Sequence, residues 1–172
     1  MDPRDDDVAG RGMDLILWRH AEAQDHPDPE HGMPGDAQDL ARRLTSRGEK
    51  QAARMAAWLD RQLPDGARVW CSPAARCEQT VLPLGRKYRV SDVIAPDASP
   101  HALLELVQWP QGRSPVVVVG HQPTLGRVIA RLLNLAEDDC SVKKGALWWL
   151  RHRERASGNQ TVVVTVQTPE LI

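Results

Sequence analysis

Residues 115–133 read PVVVVGHQPTLGRVIARLL, and the two halves of that stretch follow different rules. Four consecutive valines, Val116–Val119, lie between Pro115 and Gly120. They are β-branched and uniformly apolar, the pattern of a strand buried on both faces. After Pro123 the apolar residues become Leu125, Val128, Ile129, Leu132 and Leu133, at three- and four-residue steps, with Arg127 and Arg131 on the far side. That is one face of a helix with proline in its first turn. A buried strand that runs into a helix is half of an α/β fold.

Working outward, Met13–Trp18 (MDLILW) is a second short apolar run with the same two-sided burial. Ala23–Asp39 is polar and rich in Pro, Gly, Asp and His, a long loop of the kind that usually serves function. A helix is expected from Thr45 or Ser46 to Leu63, with Ala52, Met55, Ala56, Leu59 and Leu63 on one face and Pro64-Asp65-Gly66 as its stop. Arg68–Cys71 reads as a strand. Ser72-Pro73 makes a suitable N-cap and first position for a helix reaching about Tyr88, which Pro83 should kink or break. Val93–Ala95 predicts a brief strand and His101–Val107 a short helix. Ala146–Arg151 and Thr161–Gln167, around Ser157-Gly158-Asn159, predict an antiparallel pair. Strands alternating with helices give a three-layer α/β/α sandwich with a mostly parallel central sheet. Residues 1–12 read as an acidic tail, with Met13 a candidate initiator, and 13–172 as one domain.

The composition of the 172 residues narrows the function classes. With 41% hydrophobic and 26% charged residues the chain is globular. A formal net charge of −1 argues against a broad nucleic-acid footprint. No apolar run approaches the roughly 20 residues of a membrane span, and the polar, acidic N-terminus is unlike a signal peptide. Three cysteines (Cys71, Cys77, Cys140), at no metal-ligand spacing, fit reduced thiols in a cytoplasmic protein.

Glycine-rich nucleotide loops, a nucleophile elbow and a zinc-binding H-E-x-x-H are all missing. Cys71 and Arg76 are one residue too close for a cysteine-based phosphatase. What remains is a pattern at strand exits. His20 follows the first apolar strand after Arg19, and His121 follows the valine strand after Gly120. Ligands of open α/β sheets bind beyond the carboxyl ends of strands, and neighbouring strands lie about 4.8 Å apart. Two such histidines can flank one phosphate-sized group. Arg76, in the first turn of the helix after Arg68–Cys71, adds a guanidinium fork suited to a tetrahedral oxyanion.

Other residues carry weaker claims. Glu22 is a candidate for orienting a catalytic ring, and His101 and Glu105 for donating a proton, although exposed residues on short helices are usually idle. His26 and His31 in the long loop are expected to face solvent rather than metal. Trp148-Trp149 should place one ring in the core and one outside. Arg42-Arg43, Arg86-Lys87 and Lys143-Lys144 read as solvated faces, with docking on an acidic partner the lesser alternative.

In order along the chain, four elements resemble the histidine phosphatase superfamily, which includes the cofactor-dependent phosphoglycerate mutases. Leu17-Trp18-Arg19-His20-Ala21-Glu22 is similar to its Arg-His-Gly signature. Leu44-Thr45, Gly48 and Gln51-Ala52 match its L-T-x-x-G-x-x-Q-A element. Ser72-Pro73, Arg76 and Gln79-Thr80 match S-P-x-x-R-x-x-Q-T, and Gly120-His121 matches the second histidine. The compact length and the stretch around His121 most resemble SixA-type phosphohistidine phosphatases. Ala21 stands where the signature has Gly, and Gln122 where the acid-phosphatase branch has an aspartate donor; no mutase-type glutamate donor is evident.

The resemblance implies a phosphoglycerate mutase-like fold and a phosphatase without metal or cofactor. His20 would be the nucleophile, His121 a second catalytic residue, and Arg19 and Arg76 the phosphate ligands. The expected substrate is a phosphohistidine-bearing signalling protein, with a small phosphoester as the alternative and no nucleic-acid or membrane partner. A low-turnover phosphohistidine-binding regulator is the rival of another class.

Overall fold

In the computed structural model residues 12–172 are described; the tail expected over residues 1–12 lies outside the described residues except for Gly12. The chain runs β1 (Asp14–Arg19), α1 (Ala37–Leu40), α2 (Ser46–Gln62), β2 (Arg68–Cys71), α3 (Ala75–Val81), β3 (Arg89–Val90), α4 (Pro100–Leu106), β4 (Val116–Gly120), α5 (Thr124–Leu132), β5 (Leu147–Arg153) and β6 (Gln160–Gln167). Among the described residues one sheet forms, in the order β3-β2-β4-β1-β5-β6. β3, β2, β4 and β1 are mutually parallel, and β5 and β6 are antiparallel additions at one side. The mostly parallel three-layer architecture is therefore the observed one.

Strand alternation explains the two cores. Ile16 and Trp18 of β1 and Val117 and Val119 of β4 point into a layer with Met55, Leu59, Cys77 and Val81 of α2 and α3. Leu15, Leu17, Val116 and Val118 point the other way, onto Leu103 of α4 and Leu125, Val128 and Ile129 of α5. Each such Leu, Ile or Val is worth roughly 1.5–3 kcal/mol when fully buried, so the uninterrupted apolar strands are explained by having helices on both sides. The helices after β1 and β2 cover one face and the helix after β4 covers the other. Their divergence opens a crevice at the carboxyl ends of β1, β4 and β2.

Local signals hold in most elements. Thr45 caps α2, its hydroxyl accepting from the Gly48 amide at 3.0 Å. Gly48 is required at that spot, because a Cβ there would run into the Glu22 carbonyl. Pro83 ends the third helix as expected: α3 stops at Val81, a 3-10 turn covers Leu82–Leu84, and Gly85 adopts φ 69°.

Three expectations are corrected. Ser72-Pro73 is not the N-cap pair of α3; Ala74 occupies that position without a side-chain bond, and Ser72 is used elsewhere. Val93–Ala95 is not a strand, because Ser91 caps a 3-10 turn at Asp92–Ile94, and the edge strand is the preceding Arg89–Val90. Trp148 and Trp149 both pack, on opposite layers, so neither is an exposed platform.

Candidate active site

Arg19 and Gly120 are register partners at the ends of β1 and β4, and the His20 amide donates to the Gly120 carbonyl at 3.1 Å. The ladder thus brings the two histidines side by side. Their ring centroids are 5.3 Å apart, tilted by 57°, and both side chains are buried. Arg76, on the first turn of α3, is 3% exposed, and its NH2 reaches to 3.4 Å from His121 Nδ1. Arg19 is anchored by NH1 donating to the Val142 carbonyl at 2.8 Å. All four residues expected at one site line one pocket of about 360 Å³.

The electrostatics favour neutral imidazoles. Burial, then the nearby Arg76, Arg19 and Arg42 guanidiniums, push His20 down to about 3, against an opposing hydrogen bond to Ala21. Burial, then His20 and Arg76, push His121 down to about 2. His20 Nδ1 lies 2.8 Å from the Ala21 carbonyl, which can only accept, so the proton sits on Nδ1 and Nε2 keeps its lone pair. His121 Nε2 lies 2.7 Å from Ser72 Oγ. A hydroxyl can give or take a proton, so Ser72 supports either tautomer of that ring. The Nε atoms of Arg19 and Arg76 are buried and have no protein partner.

The motif residues that touch no substrate position act as staples. Thr80 Oγ1 accepts from the Ala21 amide at 3.0 Å and donates to the Arg76 carbonyl at 2.7 Å, joining the two halves of the site. Gln51 accepts from the Glu22 amide and Gln79 from the Leu44 amide.

Sequence reasoning missed Asp39, placed at the end of the loop. Its carboxylate is buried and receives the Gly35 amide (2.8 Å), Arg42 NH1 (2.9 Å) and Arg76 NH2 (3.3 Å), while its carbonyl receives Arg76 NH1 at 2.6 Å. Burial works against the charged carboxylate, but the Gly35 amide and the two arginines together hold its pKa below the usual range. Arg42 and Lys144, read as solvated faces, line the pocket instead. Only tertiary contact puts them there; the D-x-x-R spacing of Asp39 and Arg42 is the one local signal.

Glu22, His101 and Glu105 lie elsewhere, whereas Gln122 and His26 (the latter expected to face solvent) line the pocket but are tied to neighbouring groups. Glu22 faces Arg47 at 3.7 Å rather than an imidazole. His101 and Glu105 pair with each other at 3.4 Å and line a separate depression with Trp109 and Arg131. Gln122 is a pin, with Oε1 accepting from the Gly126 amide and Nε2 donating to the Cys140 carbonyl. His26 is bound within its loop, Nδ1 accepting from the Asp28 amide and Nε2 donating to Asp36. Burial holds the Cys77 thiol up to about 12, so it is no nucleophile. Among the described residues, no cluster of His, Cys, Asp or Glu is arranged to hold a metal, and no helix is long and apolar enough to cross a membrane.

Comparison with known proteins follows the same lines. The sequence pattern of the histidine phosphatase superfamily (branch 1) matches residues 15–98. Phosphohistidine phosphatase SixA of Escherichia coli (strain K12) is 32% identical over 128 residues, covering 70% of this chain and 74% of that protein. A structure of the protein histidine phosphatase SixA complexed with tungstate superposes with a TM-score of 0.67 at 24% identity, over 92% of this chain and 99% of that one. A phosphoserine phosphatase from Entamoeba histolytica, bound to phosphoserine, shares the fold at a TM-score of 0.66 and 14% identity, over 92% and 98% of the two chains.

Proposed function

This chain belongs to the histidine phosphatase superfamily and is a phosphatase of the SixA type, and on that footing we propose that it removes phosphate from protein phosphohistidine through a phosphoenzyme on His20. The observation that carries the mechanism is the state of His20: buried, neutral and protonated on Nδ1, with Nε2 as the free lone pair. Nε2 attacks phosphorus in line, a P–N bond forms, and the bond to the substrate imidazole breaks with its electron pair going to that ring, which already carries a proton on its other nitrogen and leaves neutral. Arg19 and Arg76 take nonbridging oxygens, and His121 joins them as Arg76 NH2 turns from its Nδ1 to the phosphate and Ser72 Oγ donates to its Nε2, leaving Nδ1–H to donate. Water then attacks the phosphorus of phosphohistidine, releasing inorganic phosphate and returning His20 to its neutral form. The positive charge comes from guanidiniums, so the scheme needs no metal.

Two features support the protein substrate. The connections between the site's strands hold the helices that cover the sheet and a loop whose Asp25, His26, Pro29 and Met33 line the pocket, so among the described residues no added domain overhangs it. A phosphorylated imidazole also leaves without a strong acid, and the residues tied down near His121, Gln122 included, provide none. The second reading, a small phosphoester, draws on a pocket of about 360 Å³, within the range of small-ligand sites. A side-by-side turnover panel of phosphohistidine proteins and small phosphoesters tests the choice. Faster turnover of sugar phosphates would reverse it.

A further inference from the structure

The segment before β3 splays away from β2, because the two strands pair only at Trp70–Arg89 and Cys71–Val90. The resulting notch at the sheet edge, about 750 Å³, lies at the amino end of the strands, opposite the end that carries His20. Its charged lining is entirely basic: Arg68, Arg86, Lys87 and Arg89, on a chain whose formal net charge is −1. Surfaces ordinarily intersperse the two signs, and one-sign concavities concentrate counter-ions.

The four cations are not equivalent. Arg86 is committed to the fold, bonded to Asp60 Oδ1 and to the carbonyls of Asp60, Leu63 and Pro64 at the end of α2. That fixes one wall. Arg68, Lys87 and Arg89 are exposed and, among the described residues, make no ion pair. Arg89 lies with its guanidinium carbon 5.8 Å from the centre of the Trp70 ring, which holds it over the notch by cation–π attraction. Tyr88 is held by its hydroxyl donating to Glu78 at 3.3 Å. A partly apolar concavity with one wall fixed by Arg86 and three cations outside any ion pair among the described residues has the volume of a small-molecule site, and forked guanidiniums suit phosphate oxygens.

We infer that this notch is a second anion site, separate from the catalytic pocket, for a small polyphosphate-bearing molecule, either inorganic or a nucleoside triphosphate. The test is calorimetric titration of the full chain with its catalytic pocket saturated by tungstate, using tripolyphosphate and ATP as separate probes. One equivalent of each should bind, and Arg68→Glu with Lys87→Glu should weaken it at least about tenfold, the loss expected for two charge-assisted contacts. Tighter ATP assigns a share to the base against Trp70; equal affinities assign the site to the polyphosphate. A thermal melt checks that the variant folds, and Arg68→Gln alone replaces it otherwise. Absence of saturable binding, indifference to the charge changes, or equal binding of hexaglutamate would overturn the inference, the last in favour of an acidic chain.

Discussion

His20 Nδ1–H donates to the carbonyl of Ala21, its own neighbour in the chain, at 2.8 Å. The tautomer of the nucleophile is therefore set by one residue of backbone rather than by a separate carboxylate. The bond also holds the ring plane, in a pocket lined by Arg19 and Arg76.

Replacement of His20 by Ala should abolish turnover and leave the fold intact, because the ring contributes chemistry rather than core. Rapid quenching of the wild type at high pH should trap a phosphoenzyme whose linkage is stable to alkali and labile to acid. Near-normal turnover in the variant would be fatal to the assignment.

Arg19→Ala and Arg76→Ala should each cost about 2.7–4 kcal/mol of transition-state stabilisation, the usual loss on removing a preorganised oxyanion donor. The checks are kcat/KM and vanadate inhibition, and an effect below threefold would place the arginine outside the site. EDTA should leave turnover unchanged; activity restored by added metal would contradict the scheme.

Asp39→Asn should lower both stability and vanadate affinity, since it breaks a buried pair and loosens Arg76 and Arg42 together. Loss of one partner from a buried pair costs about 3–5 kcal/mol. Urea unfolding measures the first effect and vanadate inhibition the second; Asp39→Glu should recover part of each. Unchanged vanadate affinity would confine Asp39 to a structural role.

The histidines also set a pH dependence. His20 is held down to about 3 and His121 down to about 2, both below the unfolded value near 6.5. Between those limits the unfolded chain binds the additional protons, so this share of stability is complete above about pH 6.5 and is lost as pH falls toward 3. Stability should fall by up to two protons' worth per pH unit, and His20→Ala should remove one of them. Urea midpoints between pH 8 and 4 give the slope. Imidazole resonances that stay unshifted from pH 8 to 5 give the assignment.

Leaving groups supply the last test. Rates on aryl phosphates should rise steeply with the acidity of the phenol, and phosphohistidine should far outpace alkyl phosphates. His101→Ala and Glu105→Gln should leave that ratio unchanged, since both residues line another depression. A flat dependence on leaving-group acidity would point to an efficient acid and to small phosphoesters.

The buried strands and α2 were legible because their signals are local: unbroken apolar runs, a Thr cap, a proline stop. The convergence of Arg19, His20, Arg76 and His121 was legible because Arg19 ends β1, His20 and His121 each follow a strand, and Arg76 opens the helix after β2. Ser72 misled because its hydroxyl serves His121 instead of a helix end, a choice made by a strand distant in sequence. Asp39, Arg42 and Lys144 were hidden for the same reason: their partners are assigned by tertiary packing, which no periodicity encodes.

The insertion of β4 between β1 and β2 has a consequence for a chain still being made. His20 emerges early from the ribosome, but the strand that must slot beside it, and the Gly145 amide that caps its carbonyl at 3.0 Å, come much later. Parallel pairing across such separations forms slowly and late. Until then the strand exits have nothing to hold them in register. A half-synthesised chain therefore has no aligned pair of histidines, and the site comes together only once β4 has slotted beside β1.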